Sequence, residues 1–149
     1  MNNTLRKNEN HIELKLFDFD LSHEEISITL GIESTKKWYK DENYSLDSES
    51  KKTTRLRKEN YWGLEVVTVT NDYIGDQVDD FINTIVIPRT ERIKKLTENS
   101  WGEFSIVQYM YDGCNPGFFL EKKQIAILSN CGLGLNVDIY VLSQSDENN

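Results

Sequence analysis

An internal echo constrains this chain more than any other feature of its sequence. The segment LSHEEISITLGIESTKKWY, residues 21–39, returns near the other end as LEKKQIAILSNCGLGLNVDIY, residues 120–140. Leu21, Glu25, Ile26 and Ile28 match Leu120, Gln124, Ile125 and Ile127 at a constant offset. After a slip of two residues, Gly31, Ile32 and Tyr39 match Gly132, Leu133 and Tyr140. The matched residues are mostly Leu, Ile and Gly, which pack and cap, so the echo specifies a fold and not an activity.

Each copy has the pattern of a helix stopped by glycine and followed by a strand. Ser22 with Glu25 forms a capping box, in which the hydroxyl accepts from a free amide of the first turn and the carboxylate reaches back. Ile26 and Leu30 then share a helical face, and Gly31 supplies a left-handed stop. A strand before each helix completes two β-α-β units. The first opens on HIELKLF, residues 11–17, where Ile12, Leu14 and Leu16 alternate with polar neighbours, the period of a half-buried strand. The second opens on GEFSIVQYMYD, residues 102–112, passes a helix over about 121–131 and closes on a strand over about 133–142. In each unit the two strands are expected to be parallel neighbours joined right-handedly.

Between the units, YWGLEVVTVT at residues 61–70 is rich in aromatic and β-branched residues and reads as a strand. DQVDDFINTIVIP then places Val78, Phe81, Ile82 and Ile85 on one helical stripe. Asp76, Asp79 and Asp80 lie in its first turns, where negative charge suits the helix dipole. Pro88 ends or kinks that helix, and RTERIKKLTENS gives a further short helix with Ile93 and Leu96 inward. The expected fold is α+β: one domain, two β-α-β units in a mixed five-stranded sheet, helices mainly on one face, ferredoxin-like in plan. Residues 1–10 and 143–149 are polar tails, and 11–142 form the domain. Within it, KDENYSLDSESKKTTRLRK over 40–58 has no apolar period and reads as an exposed loop.

The chain has 149 residues, the size of one domain, which buries roughly 68–70% of its unfolded surface. A net charge of −8 argues against general nucleic-acid binding, which needs a basic footprint; it favours solubility and suits a basic partner. No apolar run approaches the roughly 18 residues of a membrane span, and MNNTLRKNENHIEL lacks the apolar stretch of a signal peptide. With Cys114 and Cys131 its only cysteines, a cytoplasmic protein with reduced thiols is expected.

LSHEEISITLGIESTKKW, then YWGLEV, then the closing LGLNVDIYVL together resemble the bacterial domain-of-unknown-function family numbered four-two-seven-nine, from about Ile12 to Leu142. The parts that carry the resemblance are the helix with its Leu-Gly stop and Trp38 beyond it, an Arg a few residues ahead of Trp62, and the terminal Asp138-Ile139-Tyr140. Family members often have a glycine where WYKDEN has none, so the turn after Trp38 is expected to differ here. The family has no settled activity; some relatives are suspected immunity proteins, which neutralise a neighbouring toxin by binding it.

Chemistry-bearing patterns are sparse. Asp18 and Asp20 share a face of an extended segment near Glu24 and would suit Mg²⁺, but two Asp residues at a strand-to-helix turn ordinarily bond backbone amides. His11 and His23 lack partners at metal-ligand spacing. Neither Cys114 nor Cys131 has a base beside it in sequence. CGLGL, residues 131–135, follows a helix and reads as a cap, not a phosphate loop. No catalytic residue, metal ligand or cofactor is assigned.

The richest local composition is the basic run Lys51, Lys52, Arg55, Arg57 and Lys58, flanked by Trp38, Tyr61 and Trp62. Arginine stacks on aromatics and forks to carboxylates or phosphates. Trp38, Arg55, Arg57, Trp62, Asp138 and Tyr140 are therefore the candidate ligand- or partner-binding residues. Asp138, set in an apolar strand, either faces solvent or pairs with an Arg such as Arg57. The expected function is a non-enzymatic, cytoplasmic protein-binding protein, with a toxin as the partner that the resemblance implies. The alternative is a small-anion or small-molecule binder or an enzyme near Trp38, Arg57 and Trp62. A third reading is a structural homodimer built on an exposed edge strand.

Overall fold

The computed structural model describes residues 5–48 and 51–144, with side chains at all of these except 47, 48, 51 and 52. The outer parts of the expected tails, 1–4 and 145–149, lie outside the described residues. The elements run β1 (Glu9–Phe17), α1 (His23–Leu30), β2 (Lys36–Trp38), β3 (Asn43–Ser48), β4 (Lys51–Leu56), β5 (Tyr61–Val69), α2 (Ile74–Phe81), α3 (Thr90–Thr97), β6 (Trp101–Met110), α4 (Lys122–Asn130) and β7 (Leu133–Val141). The inner parts of the expected tails take part in the fold. β1 begins at Glu9, and the Gln144 amide donates to the carbonyls of Tyr111 (2.7 Å) and Arg6 (3.1 Å).

Five strands form one sheet in the order β2-β5-β1-β6-β7. β1 is antiparallel to β5 and to β6, β2 is antiparallel to β5, and β6 and β7 are parallel. The second unit has the expected neighbouring strands. The first does not: β1 and β2 are parallel, but β5 lies between them. The pairing follows from matched faces. Leu16, Leu14 and Ile12 of β1 stand opposite Trp62, Leu64 and Val66 of β5, so inserting β5 extends one apolar face that β2, three residues long, could not supply.

Residues expected as a loop form a hairpin, β3 paired with β4 as a separate two-stranded sheet. Its sequence shows no buried-face alternation because the core does not cover it: Leu46 and Leu56 are both exposed. The turn leading into it is made by Asp41 at φ 67°, a left-handed conformation usually given to glycine.

Both helices of the echo are built alike. In α1 the Glu25 amide donates to Ser22 Oγ (3.1 Å) and the Ser22 amide to the Glu25 carboxylate (2.8 Å). In α4 the Glu121 amide donates to Gln124 Oε1 at 2.8 Å. Both end at a left-handed glycine, Gly31 at φ 68° and Gly132 at φ 71°. α1 has eight residues before Gly31, whereas α4 has nine and then Cys131 before Gly132, so the two-residue slip is one more helical residue and one cap residue.

Pro88 does not end the helical path. After α2 the chain makes a π-helical turn (Ile82–Val86) and a 3-10 turn (Ile87–Arg89) before α3. Proline has no N–H for the Thr84 carbonyl; Arg89 Nη1 donates to Thr84 O (3.2 Å) and Ile85 O (3.0 Å) instead. Arg89 Nε (2.9 Å) and Arg92 Nη1 (3.2 Å) also reach Leu30 O, so this seam caps the C-terminus of α1.

The core lies between the helices and one face of the sheet, made of the even-numbered side chains of β1, β5 and β6 and the odd-numbered ones of β7. Leu14, Leu16, Trp62, Phe104 and Ile106 meet Ile26, Leu30, Val78, Val86 and Ile93 there, all essentially inaccessible. Each contributes about 1.5–3 kcal/mol through burial. Among the described residues no helix is long and apolar enough to cross a membrane.

Candidate functional site: the uncovered face of the sheet

Side chains alternate across a strand, so strand register alone defines the opposite face. It carries Lys36 and Trp38 of β2, Tyr61, Gly63 and Glu65 of β5, and Phe17, Lys15, Glu13, His11 and Glu9 of β1. Trp101, Glu103, Ser105, Val107 and Tyr109 of β6 and Asn136, Asp138 and Tyr140 of β7 continue it. The residues that the helices bury join the core on the other side. No helix among the described residues packs on this face, although Glu13, Tyr61 and Ser105 at its centre are buried beneath neighbouring side chains.

At the β2 end stands a four-layer stack. The Trp38 and Tyr61 rings lie 3.9 Å apart and within 9° of parallel. The Arg57 guanidinium sits 3.9 Å from the Trp38 ring and 4.0 Å from the Tyr44 ring. Phe17 meets Tyr61 edge-on at 5.1 Å. Backbone bonds fix where Arg57 leaves the hairpin: its amide donates to Glu42 O and its carbonyl accepts from the Asp41 amide, both at 2.9 Å. Stacking uses the guanidinium faces and leaves the N–H edge for a planar acceptor. No carboxylate among the described residues pairs with Arg57.

Towards the middle the face becomes a charge network. The Tyr61 hydroxyl donates to the Glu13 carboxylate, beneath Gly63. A Cβ on Gly63 would lie 2.4 Å from both the Glu13 oxygen and the Tyr61 hydroxyl, so glycine makes that contact possible. Burial, then the Glu13 carboxylate, push the Tyr61 hydroxyl far above its ordinary value. His11 lies between Glu9 (Nε2, 2.6 Å) and Glu65 (Nδ1, 2.8 Å). Lys36 reaches the other Glu65 oxygen at 2.9 Å. Burial alone would raise the Glu65 carboxyl, but the bonds and charges of Lys36 and His11 bring it below its ordinary value. Lys15 pairs with Glu103 at 3.2 Å, and the Asn136 amide donates to the same carboxylate at 3.3 Å. Tyr109 stacks on Tyr140 at the far side, 5.2 Å apart.

The structure thus splits the six candidate residues. Trp38 and Arg57 are in the stack, and Arg55 stands exposed across the hairpin from Tyr44. Trp62 belongs elsewhere: it points away from Tyr61 into the core, fully buried, with its Nε1–H donated to Ser27 Oγ at 3.0 Å. Asp138 and Tyr140 share the open face but sit on β7, separated from β2 by three strands. The expected Asp138–Arg57 pair does not form; Asp138 is exposed and Arg57 is held by the two rings. Sequence reading missed Tyr44, Glu13, His11 and Glu65 as members of the face. The polar half of HIELKLF was the signal for His11 and Glu13, legible only once β5 is set beside β1.

The remaining chemistry-bearing residues serve structure. Asp18 is a turn residue at φ 54°, its amide donating to Asn60 O at 3.2 Å. His23 Nε2, facing the carbonyls of Tyr61 (2.9 Å) and Trp38 (3.0 Å), must be the protonated nitrogen. Burial pushes the Cys131 thiol up, and Asp112 does the same for Cys114, which makes both weaker nucleophiles.

The fold and this face define a single-domain α+β protein with a split β-α-β unit and an open, aromatic- and charge-bearing sheet surface. The chain belongs to the family described as Domain of unknown function (DUF4279), whose model matches residues 8–142. No curated protein and no solved structure matches it.

Proposed function

We propose that this protein is a non-enzymatic, cytoplasmic binding protein that takes a protein partner on its uncovered sheet face, and that the partner is a toxin it neutralises. The observation that carries the binding reading is Arg57, pre-stacked between Trp38 and Tyr44 with no carboxylate paired to it among the described residues. Arginine, tryptophan and tyrosine are the residues that dominate binding energy at protein interfaces, most of all where a rigid stack keeps the ordering cost low. Around it, Glu9, Glu13, Glu65, Glu103 and Asp138 outnumber Lys15 and Lys36 on the face, which favours a basic partner that supplies one carboxylate for Arg57. The inhibitor role rests on the family resemblance. The runner-up, a small-anion site, draws on the same free guanidinium edge.

Affinity capture from the native cells with wild-type protein and with Arg57→Ala tests this. The expected result is one stoichiometric partner that arrests growth when expressed alone, is silenced by co-expression of this chain, and is lost with Arg57→Ala. A partner held equally by both proteins would overturn the assigned face. Thermal stabilisation by inorganic phosphate that Arg57→Ala removes, with no protein captured, would favour the anion site.

A further inference from the structure

β2 covers only the first third of β5. Lys36–Trp38 pair with Tyr61–Gly63, and no strand among the described residues pairs with β5 beyond that on the same side. Ladder parity fixes which backbone groups are left. The Asn60 carbonyl accepts from Asp18 and the Thr70 amide donates to Asn8, so the even residues of β5 bond to β1 and the odd ones point outward. The Thr35 amide donates to Gly63 O (2.8 Å) and the Glu65 amide donates to Thr35 Oγ1 (2.8 Å). The Glu65 carbonyl and the amides and carbonyls of Val67 and Val69 come next, facing outward without a partner among the described residues.

This open edge is unguarded. Val66, Val67 and Val69 are 45%, 48% and 59% exposed, and Val66–Thr70 contains no charge and no proline, the usual devices against strand addition. The other edge, β7, does carry such a device, with Asp138 at mid-strand. Beside the β5 edge, between it and α2, runs a groove of about 500 Å³. Ile12, Val66, Phe81 and Ile85 form its apolar floor, and Asp76 and Asp80 stand on its α2 wall. Neither carboxylate has an ion pair among the described residues.

We propose that this edge and groove bind an extended peptide segment of a partner protein, added as a strand to Glu65–Val69, with Lys or Arg at alternate positions. Main-chain bonds to Val67 and Val69 would hold the segment, and its alternate side chains would enter the groove. Basic side chains fit because their aliphatic stems lie along the apolar floor while their charge reaches Asp76 and Asp80. A second copy of this chain fits poorly, since pairing β5 with β5 would bring the same carboxylates towards one another. The site shares no residue with the Arg57 stack and only Glu65 with the open face, so it goes beyond the function proposed above and fails separately from it.

The test uses the full chain and a fluorescent acetyl-Lys-Val-Lys-Val-Lys-Val-Lys-amide peptide, followed by anisotropy. Saturable binding is expected, weakened roughly tenfold or more when the peptide amides that face β5 are N-methylated. Asp76→Asn with Asp80→Asn should weaken it similarly and reduce its salt dependence. Val67→Pro removes an outward N–H that the β1 ladder does not use, and should abolish binding with the fold intact by circular dichroism. If that variant fails to fold, the methylated peptide on wild-type protein remains decisive. Binding indifferent to methylation would mean adhesion by charge alone and would overturn the proposal, as would no binding at millimolar peptide. A dimer in light scattering that Val67→Pro dissociates would also overturn it, by assigning the edge to a second copy.

Discussion

The two β-α-β units have matching helix ends and unlike strands. In the second, β6 and β7 pair in parallel without a break from Gly102 with Leu133 to Met110 with Val141. In the first, α1 crosses over β5 to a partner strand of three residues. The same capped helix can therefore serve two different strand arrangements, because caps are decided within a few residues and strand neighbours are not. The difference also has a functional side. The insertion of β5 and the shortness of β2 together produce the Arg57 stack at one end of that border and the bare edge at the other.

The largest expected effect tests whether β5 is the wedge that holds the first unit together. Trp62→Ala should cost about 3–5 kcal/mol in denaturant unfolding, since Trp62 is fully buried and its indole N–H holds Ser27 of α1. A loss below about 2 kcal/mol would mean that the split unit repacks without it.

A smaller pair of effects sets the helix stops of the two units against each other. Alanine at either left-handed glycine costs about 1–2 kcal/mol from backbone alone. At Gly132 the new Cβ would also lie 2.5 Å from Thr97 Oγ1, which donates to the Cys131 carbonyl. At Gly31 the nearest atom is the end of the Arg92 side chain, 3.2 Å away. Gly132→Ala should therefore be the more damaging by about 1 kcal/mol in thermal unfolding; equal losses would leave the glycine conformation as the only cause.

The smallest effect concerns the tie between β2 and β5. Glu65 has a folded-state value below its unfolded one, so its pairing with Lys36 and His11 stabilises the protein above the ordinary glutamate value of about 4.3 and is lost as pH falls through the depressed value. Glu65→Gln should flatten that acid limb by about 1 kcal/mol or less. An unchanged limb would show that the pair contributes nothing to stability.

Much of this was legible in the sequence, and the physical reason separates what was from what was not. The capping box at Ser22, the left-handed glycines and the alternation in HIELKLF are local patterns, and each appears in place. The neighbour of β1 depends on residues some fifty positions away, so the echo suggested adjacency where β5 intervenes. The strands β3 and β4 bury no described side chain in the core, and a strand without a buried face lacks the period by which strands are recognised. Of the candidate site, Trp38 and Arg57 meet as their composition suggested. Trp62 was misplaced by a single step of strand parity, and Asp138 lies on the opposite edge because sheet order is not a local property.

The three tryptophans occupy three different optical surroundings. Trp62 lies in the core, Trp101 is 64% exposed, and Trp38 is sandwiched between a guanidinium and a phenol ring. Iodide will reach the second and not the first, so their emission can be separated without mutation. The third is quenched or relieved according to what Arg57 holds, and its coupling with Tyr61 gives the near-ultraviolet dichroism a signature of the stack. The chain thus carries its own label where the proposed partner would land.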